Sequence, residues 1–223
     1  KINNNTASDR GGAIAMGNNF QYPTIVTMYD GAEICNNYSA QTGGGVMVSV
    51  GTFTMKGGTI SNNLAKMMGG GVYVRGGSFI MEGGCIVENI TAEYGGGIAY
   101  EAGDYNNGIP CVTLNGGTIT GNGAGVEVNG SEGKTTKLNM YGGAISNNTG
   151  TGVRLTQYCT FTMSGGTISN NKGGVSTGSG EFTMSGGEIS GNTATSNGGG
   201  VNIGNGGTFT MNAGAKITQN TAG

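Results

Sequence analysis

The sequence predicts an all-β chain, a right-handed single-stranded parallel β-helix of about eight turns with three short strands in each turn. A phrase of the type Gly-Gly-Thr-Ile-Ser-Asn recurs, for example at residues 57–63, 116–122 and 165–171. Units of 21–33 residues stacked on one another are typical of solenoids. The asparagine that ends each unit recurs at Asn5, Asn37, Asn63, Asn89, Asn122, Asn148, Asn171, Asn192 and Asn220.

One unit, residues 43–63, shows how each turn is built. Three segments alternate between apolar and polar residues, at 46–48, 52–55 and 59–61, and glycines separate them. Alternation with a period of two predicts strands with one buried face. Glycine permits the backbone conformations that tight corners need. The unit is therefore predicted to form one triangular turn.

Alignment of the units gives four apolar columns, which we predict to form the core. They begin at Ile14, Val26, Met28 and Ile2, and like residues follow in every later unit. The final asparagines form a fifth column, predicted to be a structural ladder because amide side chains both donate and accept hydrogen bonds. At ~4.8 Å per turn the rod would be about 38 Å long, and parallel crossovers are nearly always right-handed.

Composition limits the partners that the chain can bind. The net charge is −2 and only 10% of residues are charged, so no basic stripe is present for nucleic acid. No run of about 20 apolar residues is present for membrane insertion. Low charge with abundant Asn, Thr and Ser favours an exported, extracellular surface protein over a cytosolic enzyme. We expect residues 1–223 to be a single β-helix domain, a piece of a longer rod, or else a rod that stacks end to end.

The glycine-rich corners and the asparagine-ended strands together resemble a known family. Residues 11–14 and 142–145 read Gly-Gly-Ala-Ile, residues 43–46 read Gly-Gly-Gly-Val, and strands such as 60–63 end in Asn. The pattern resembles repeats of secreted bacterial right-handed β-helix proteins, such as autotransporter passenger regions and chlamydial polymorphic outer membrane proteins. The resemblance implies a cell-surface adhesin or stalk that contacts a host or cell-wall glycan, or a surface protein.

Residues that could carry catalysis or bind metal are sparse. The three aspartates and nine glutamates are scattered among units, and there is no histidine. Glycoside hydrolysis needs two carboxylates roughly 5–10 Å apart. The four cysteines fall in different columns and are predicted to be unpaired thiols. We therefore expect no enzyme activity, no cofactor and no metal. A polysaccharide lyase or hydrolase remains the alternative, and the Thr-x-Thr strands leave an ice-binding solenoid as a remote one.

Three insertions interrupt the repeat between the first and second strands, at residues 17–23, 101–110 and 129–136. The last two fall in consecutive turns at the same corner, so their loops should project side by side. Insertions in solenoids often gather on one binding face. The predicted ligand-binding residues are those that these two loops carry: Glu101, Asp104, Tyr105, Asn106, Asn107, Glu132 and Lys134.

Overall fold

The computed structural model describes residues 1–17, 19, 21–92, 94–103, 111–134 and 136–223. Within them, three long sheets of parallel strands wrap around one core. We define a coil as one strand from each sheet in chain order, which gives eight coils in the described residues because two sheets have eight strands and the third has nine.

The strand bounds follow the predicted units. The first sheet contains Ile14–Met16, Val46–Val48, Val72–Arg75, Ile98–Glu101, Val126–Asn129, Val153–Leu155, Val175–Thr177 and Val201–Ile203. The second sheet contains Thr24–Met28, Gly51–Met55, Ser78–Met81, Val112–Leu114, Thr136–Met140, Cys159–Met163, Glu181–Met184 and Thr208–Met211. The third sheet contains Ile2–Asn3, Glu33–Cys35, Thr59–Ser61, Cys85–Val87, Thr118–Thr120, Ala144–Ser146, Thr167–Ser169, Glu188–Ser190 and Lys216–Thr218.

The four apolar columns are confirmed residue by residue in the strand register. Val46 aligns with Val72 in the first sheet, Phe53 with Phe79 in the second, and Ile60 with Ile86 in the third. The Phe161 and Phe182 rings stack with centroids 4.7 Å apart. Core side chains of coils two to seven are almost fully buried because a neighbouring coil covers them on each side. Burial of each such side chain contributes about 1.5–3 kcal/mol.

The asparagine column forms a continuous ladder of hydrogen bonds inside the rod. From Asn5 to Asn192, each Nδ2 donates to Oδ1 of the asparagine in the next coil, over 2.8–3.1 Å. The backbone N–H of the same residue donates to the same oxygen over 2.9–3.0 Å. From Asn37 onward, Nδ2 also donates to the carbonyl of the column isoleucine one coil earlier. Asn37 to Asn192 are at most 3% exposed.

The residue before each ladder asparagine turns the chain. Seven of the eight described non-glycine residues with positive φ occupy this position, with φ of 54–58°. They are Asn4, Asn36, Asn62, Glu88, Asn147, Asn170 and Gln219. Gly121 and Gly191 occupy the same position with φ of 65°. Asparagine and glycine adopt this left-handed conformation more readily than other residues, so the Asn-Asn pair encodes both the corner and the ladder.

A fourth short strand, which the sequence reasoning missed, appears in some coils. Five residues lie between the ladder asparagine and the following glycines at 6–10, 38–42, 64–68, 90–94 and 193–197, and we call these segments flaps. Their strands are Thr6–Ala7, Tyr38–Ser39, Leu64–Ala65, Ile90–Thr91 and Thr193–Ala194, and Thr221–Ala222 pairs with the last of them.

The flaps that precede coils two to four cover outward side chains of the first sheet. Met47, Tyr73 and Ala99 point outward from that sheet, yet they are at most 3% exposed, and Met68 of a flap packs against them. Gly69 permits this approach, since a Cβ there would lie 2.5 Å from the Val72 carbonyl oxygen and its φ is +64°. Coils five to seven have no flap.

Replacing Asn122 with alanine should destabilise the rod strongly. The change leaves the backbone N–H and Nδ2 of Asn89 without the Asn122 Oδ1 acceptor. A buried donor left unsatisfied costs about 1–3 kcal/mol, so the free energy of unfolding should fall by at least about 2 kcal/mol in urea denaturation. Asn115→Ala, at an exposed corner, is the control, and equal losses for the two variants would contradict the role of the ladder.

Candidate functional site

The predicted insertions leave the rod at the corner between the first and second sheets. Ala102 N–H donates to the Asn129 carbonyl over 2.9 Å, so the bases of the two loops lie side by side in coils four and five. The insertion at 17–23 leaves coil one at the same corner, three coils away.

The structure places the predicted ligand-binding residues at different locations. Glu101 accepts a hydrogen bond from the hydroxyl of Tyr73, which lies one coil earlier on the first sheet. Burial raises the pKa of Tyr73, and the hydrogen bond to the Glu101 carboxylate raises it further. Glu132 is exposed at the tip of its loop, and Lys134 lies at the edge of a groove. Asp104, Tyr105, Asn106 and Asn107 lie outside the described residues.

The groove beside the 129–136 loop is open and has a volume of about 500 Å³. It crosses three coils, from the loop in coil five, past Tyr158 in coil six, to Glu181 in coil seven. Three hydroxyl-bearing residues, Thr136, Thr160 and Ser179, also line it. The volume falls within the range of small-molecule sites, about 300–1,000 Å³. The groove therefore combines one aromatic ring with several hydrogen-bonding groups.

Tyr158 is the one described non-glycine residue with positive φ that lies outside the position before the ladder. Its φ is 55°, and its side chain is 48% exposed at the groove. A left-handed conformation costs an L-residue with a Cβ roughly 1–2 kcal/mol. Strain of this kind tends to persist at functional sites, so the conformation that holds this ring at the surface marks Tyr158 as the centre of the candidate site.

The described lining of the groove includes one thiol and one carboxylate. The thiol that lines the groove belongs to Cys159. Burial raises the pKa of this thiol to about 11, which keeps it protonated at neutral pH. The Cys159 thiol donates toward the Val128 and Gln157 carbonyls. Among the described residues that line the groove, Glu181 is the one carboxylate, whereas hydrolysis of a glycosidic bond requires a pair.

None of the four cysteines, all of which lie in the described residues, forms a disulfide bond; Cys35, Cys111 and Cys159 are buried and Cys85 is half-buried. Across the described part of the chain, no group of three or more Cys, Asp or Glu side chains is arranged to hold a metal ion. The same residues include no helix long and apolar enough to cross a membrane.

Sequence reasoning missed Tyr158, Ser179 and Glu181 as groove residues. The sequence did offer one signal, the position of Tyr158. It follows the first-sheet strand of coil six, at the same corner from which the two insertions leave coils four and five. Its left-handed backbone conformation carries no sequence signature, since tyrosine is not a residue that favours it.

Comparison with known proteins identifies the family. Residues 44–222 match the family model described as a right-handed β-helix region. This match covers most of the chain, and the chain belongs to that family. The predicted fold class, a right-handed parallel β-helix, is thereby confirmed. No curated protein and no solved structure gives a significant match.

The buried Cys159 thiol should make the rod less stable at alkaline pH. Its pKa of about 11 in the folded protein exceeds the ordinary value of 9.0. The unfolded chain therefore loses this proton first, and stability falls as pH rises through the window between the two values. We expect the wild type to lose about 2 kcal/mol more than Cys159→Ser between pH 8 and pH 10.5, at about 1.4 kcal/mol per pKa unit.

Urea denaturation at several pH values measures this difference. The difference in unfolding free energy between the wild type and Cys159→Ser should stay constant from pH 6 to pH 7.5, because the Cys159 thiol is protonated there in both the folded and the unfolded chain. If the unfolding free energies of the two proteins fall in parallel up to pH 10.5, Cys159 does not contribute to the loss of stability.

Proposed function

We propose that this rod is a structural and adhesive segment of an exported bacterial surface protein, and that it binds a glycan in the groove at Tyr158. The fold supports a rigid solenoid. The low charge and the Asn-, Thr- and Ser-rich composition favour an extracellular location. The observation that carries the proposal is the exposed Tyr158 ring, which is held in a strained conformation above a groove lined by hydroxyl groups.

The lining of the groove matches the chemistry of a sugar. A tyrosine ring offers an apolar face against which a sugar ring can stack, and its hydroxyl remains available to water or ligand. The Ser179 hydroxyl can donate and accept, and the Thr160 hydroxyl, which donates to the Thr136 carbonyl, can accept. Lys134 can donate to a sugar hydroxyl and Glu181 can accept from one. The groove runs across three coils, so an extended oligosaccharide would lie along the rod axis.

Replacing Tyr158 with asparagine tests this proposal without weakening the fold. Asparagine tolerates a positive φ, so the melting temperature should be equal to or above that of the wild type. Loss of an aromatic hot-spot residue costs about 2 kcal/mol, so affinity for the best ligand from a glycan array should fall about 30-fold by titration calorimetry.

Tyr141→Asn is the matched control. Tyr141 is similarly exposed, at 54%, but lies at the corner between the second and third sheets, away from the groove. Equal affinities for the Tyr158 variant and the wild type would contradict the proposed site. Release of reducing ends from the bound polysaccharide would instead favour the enzyme alternative.

A further inference from the structure

Coils five to seven lack flaps, and the gap forms a notch in one side of the rod. In these coils the ladder asparagine is joined to the first strand by only three or four residues, at 123–125, 149–152 and 172–174. Flaps stand on both sides, over coil four and over coil eight. At ~4.8 Å per coil these two flaps are about 19 Å apart, a span that leaves space for three missing strands.

The two flaps present strand edges to the notch. Ile90–Thr91 ends the four-stranded flap sheet, and Thr193–Ala194 has Thr221–Ala222 as its strand neighbour. In the intact flap sheet, Lys66 N–H donates to the Ser39 carbonyl one coil earlier, over 3.1 Å. Thr195 corresponds to Lys66, but coil seven has no flap residue that could accept from it. An exposed edge of this kind is a template for an added strand.

The floor of the notch is formed by the outward residues of the first sheet. In the notch Glu127, Arg154 and Ser176 succeed one another in register, and Asn202 of coil eight continues the row. Arg154 lies over the Tyr94 ring, with its Cζ 5.7 Å from the centroid, and its Nη1 is 3.9 Å from Glu127 Oε1. Glu127 is 3% exposed. A guanidinium has five N–H donors, so this contact does not exhaust its capacity for an incoming anion.

A polar pocket lies beside the Thr193–Ala194 edge and has a volume of about 160 Å³. Its lining includes the exposed Lys172 and a set of hydroxyl and amide side chains: Thr151, Ser176, Thr195, Ser196 and Asn202. An ammonium group among hydroxyls and amides suits a carboxylate, which accepts hydrogen bonds from each of them.

We propose that the notch binds an extended acidic peptide segment of a partner protein. The segment pairs in parallel with Thr193–Ala194, in the place that a flap of coil seven would occupy, and accepts from the Thr195 N–H. An Asp or Glu side chain of the segment enters the pocket beside Lys172. Main-chain pairing at a strand edge supplies affinity, while a pocket for one side chain supplies selectivity.

The strand edges favour a peptide over a glycan at this surface. The Thr195 N–H is positioned to donate to a parallel strand, and a peptide backbone supplies such a strand whereas a glycan does not. The notch is the space that flaps fill in the other coils, so it fits one layer of peptide. No described residue that lines the pocket is aromatic, whereas the groove at Tyr158 has the ring that suits a sugar.

Fluorescence polarisation with two labelled peptides tests the proposal. The probes are acetyl-(Thr-Glu)₄-amide, whose alternation places the carboxylates on one face of a strand, and its (Thr-Lys)₄ counterpart. We expect the wild type to bind the first and not the second, and Lys172→Glu to lower affinity for the first about tenfold. Amide NMR spectra should place the largest shift at Thr195.

A flap graft gives a second, steric variant. Replacing residues 172–174 with the sequence of residues 193–200 (TATSNGGG) gives coil seven the flap of coil eight, and should abolish binding while the melting temperature is kept. Lys66→Glu, on a flap away from the notch, is the matched control and should change affinity less than twofold. The proposal is overturned if the wild type binds neither peptide, if the graft binds as the wild type does, or if a uronic acid tetrasaccharide binds the notch in place of the peptide.

Discussion

After its third-sheet strand, each coil turns at its third corner through the same pair of positions, a residue in left-handed backbone conformation followed by an asparagine, which is buried in coils one to seven. The asparagine side chain donates forward to the next asparagine and backward to an isoleucine carbonyl, so one residue links three successive coils. A one-residue slip of a coil would break these bonds and turn its inward side chains outward. The ladder therefore fixes the register in which valine, phenylalanine, methionine and isoleucine stack on their own kind.

Because inward residues and the third corner define the scaffold, the outward residues and the other connections are free to vary. Two of these variations, the 129–136 insertion and the loss of the flaps, meet in coils five to seven. These coils carry the groove at Tyr158 at one end of their first-sheet strands and the notch of missing flaps over the same strands. Arg154 in the notch and Tyr158 at the groove are four residues apart in one coil. Both candidate surfaces are thus built on the same three coils of a rigid rod.

The core could be predicted from the sequence because its pattern repeats, and every repeat adds independent support. The four apolar columns and the asparagine ladder were identified at the positions that the strand register shows. The flaps could not be predicted in this way because their five residues differ from coil to coil. The repeat length also conceals them: the interval from Asn37 to Asn63 is 26 residues with a flap, and that from Asn122 to Asn148 is 26 residues with the 129–136 insertion and no flap.

The candidate site was predicted only in part for a related physical reason. A loop that interrupts a repeat is visible in the sequence, so the corner of the groove and Lys134 were identified. Tyr158 depends on a backbone conformation that tyrosine rarely adopts, and Glu101 is held by a Tyr73 that the flaps bury.

Native-state hydrogen exchange of backbone amides tests the central role of the ladder most directly. The N–H groups of Asn63, Asn89, Asn122 and Asn148 donate to buried side-chain oxygens. They should exchange only when the whole rod unfolds, with an opening free energy equal to the global value and with the same denaturant dependence. Exchange of these amides at the rate of flap amides such as Lys66, without global unfolding, would contradict the account.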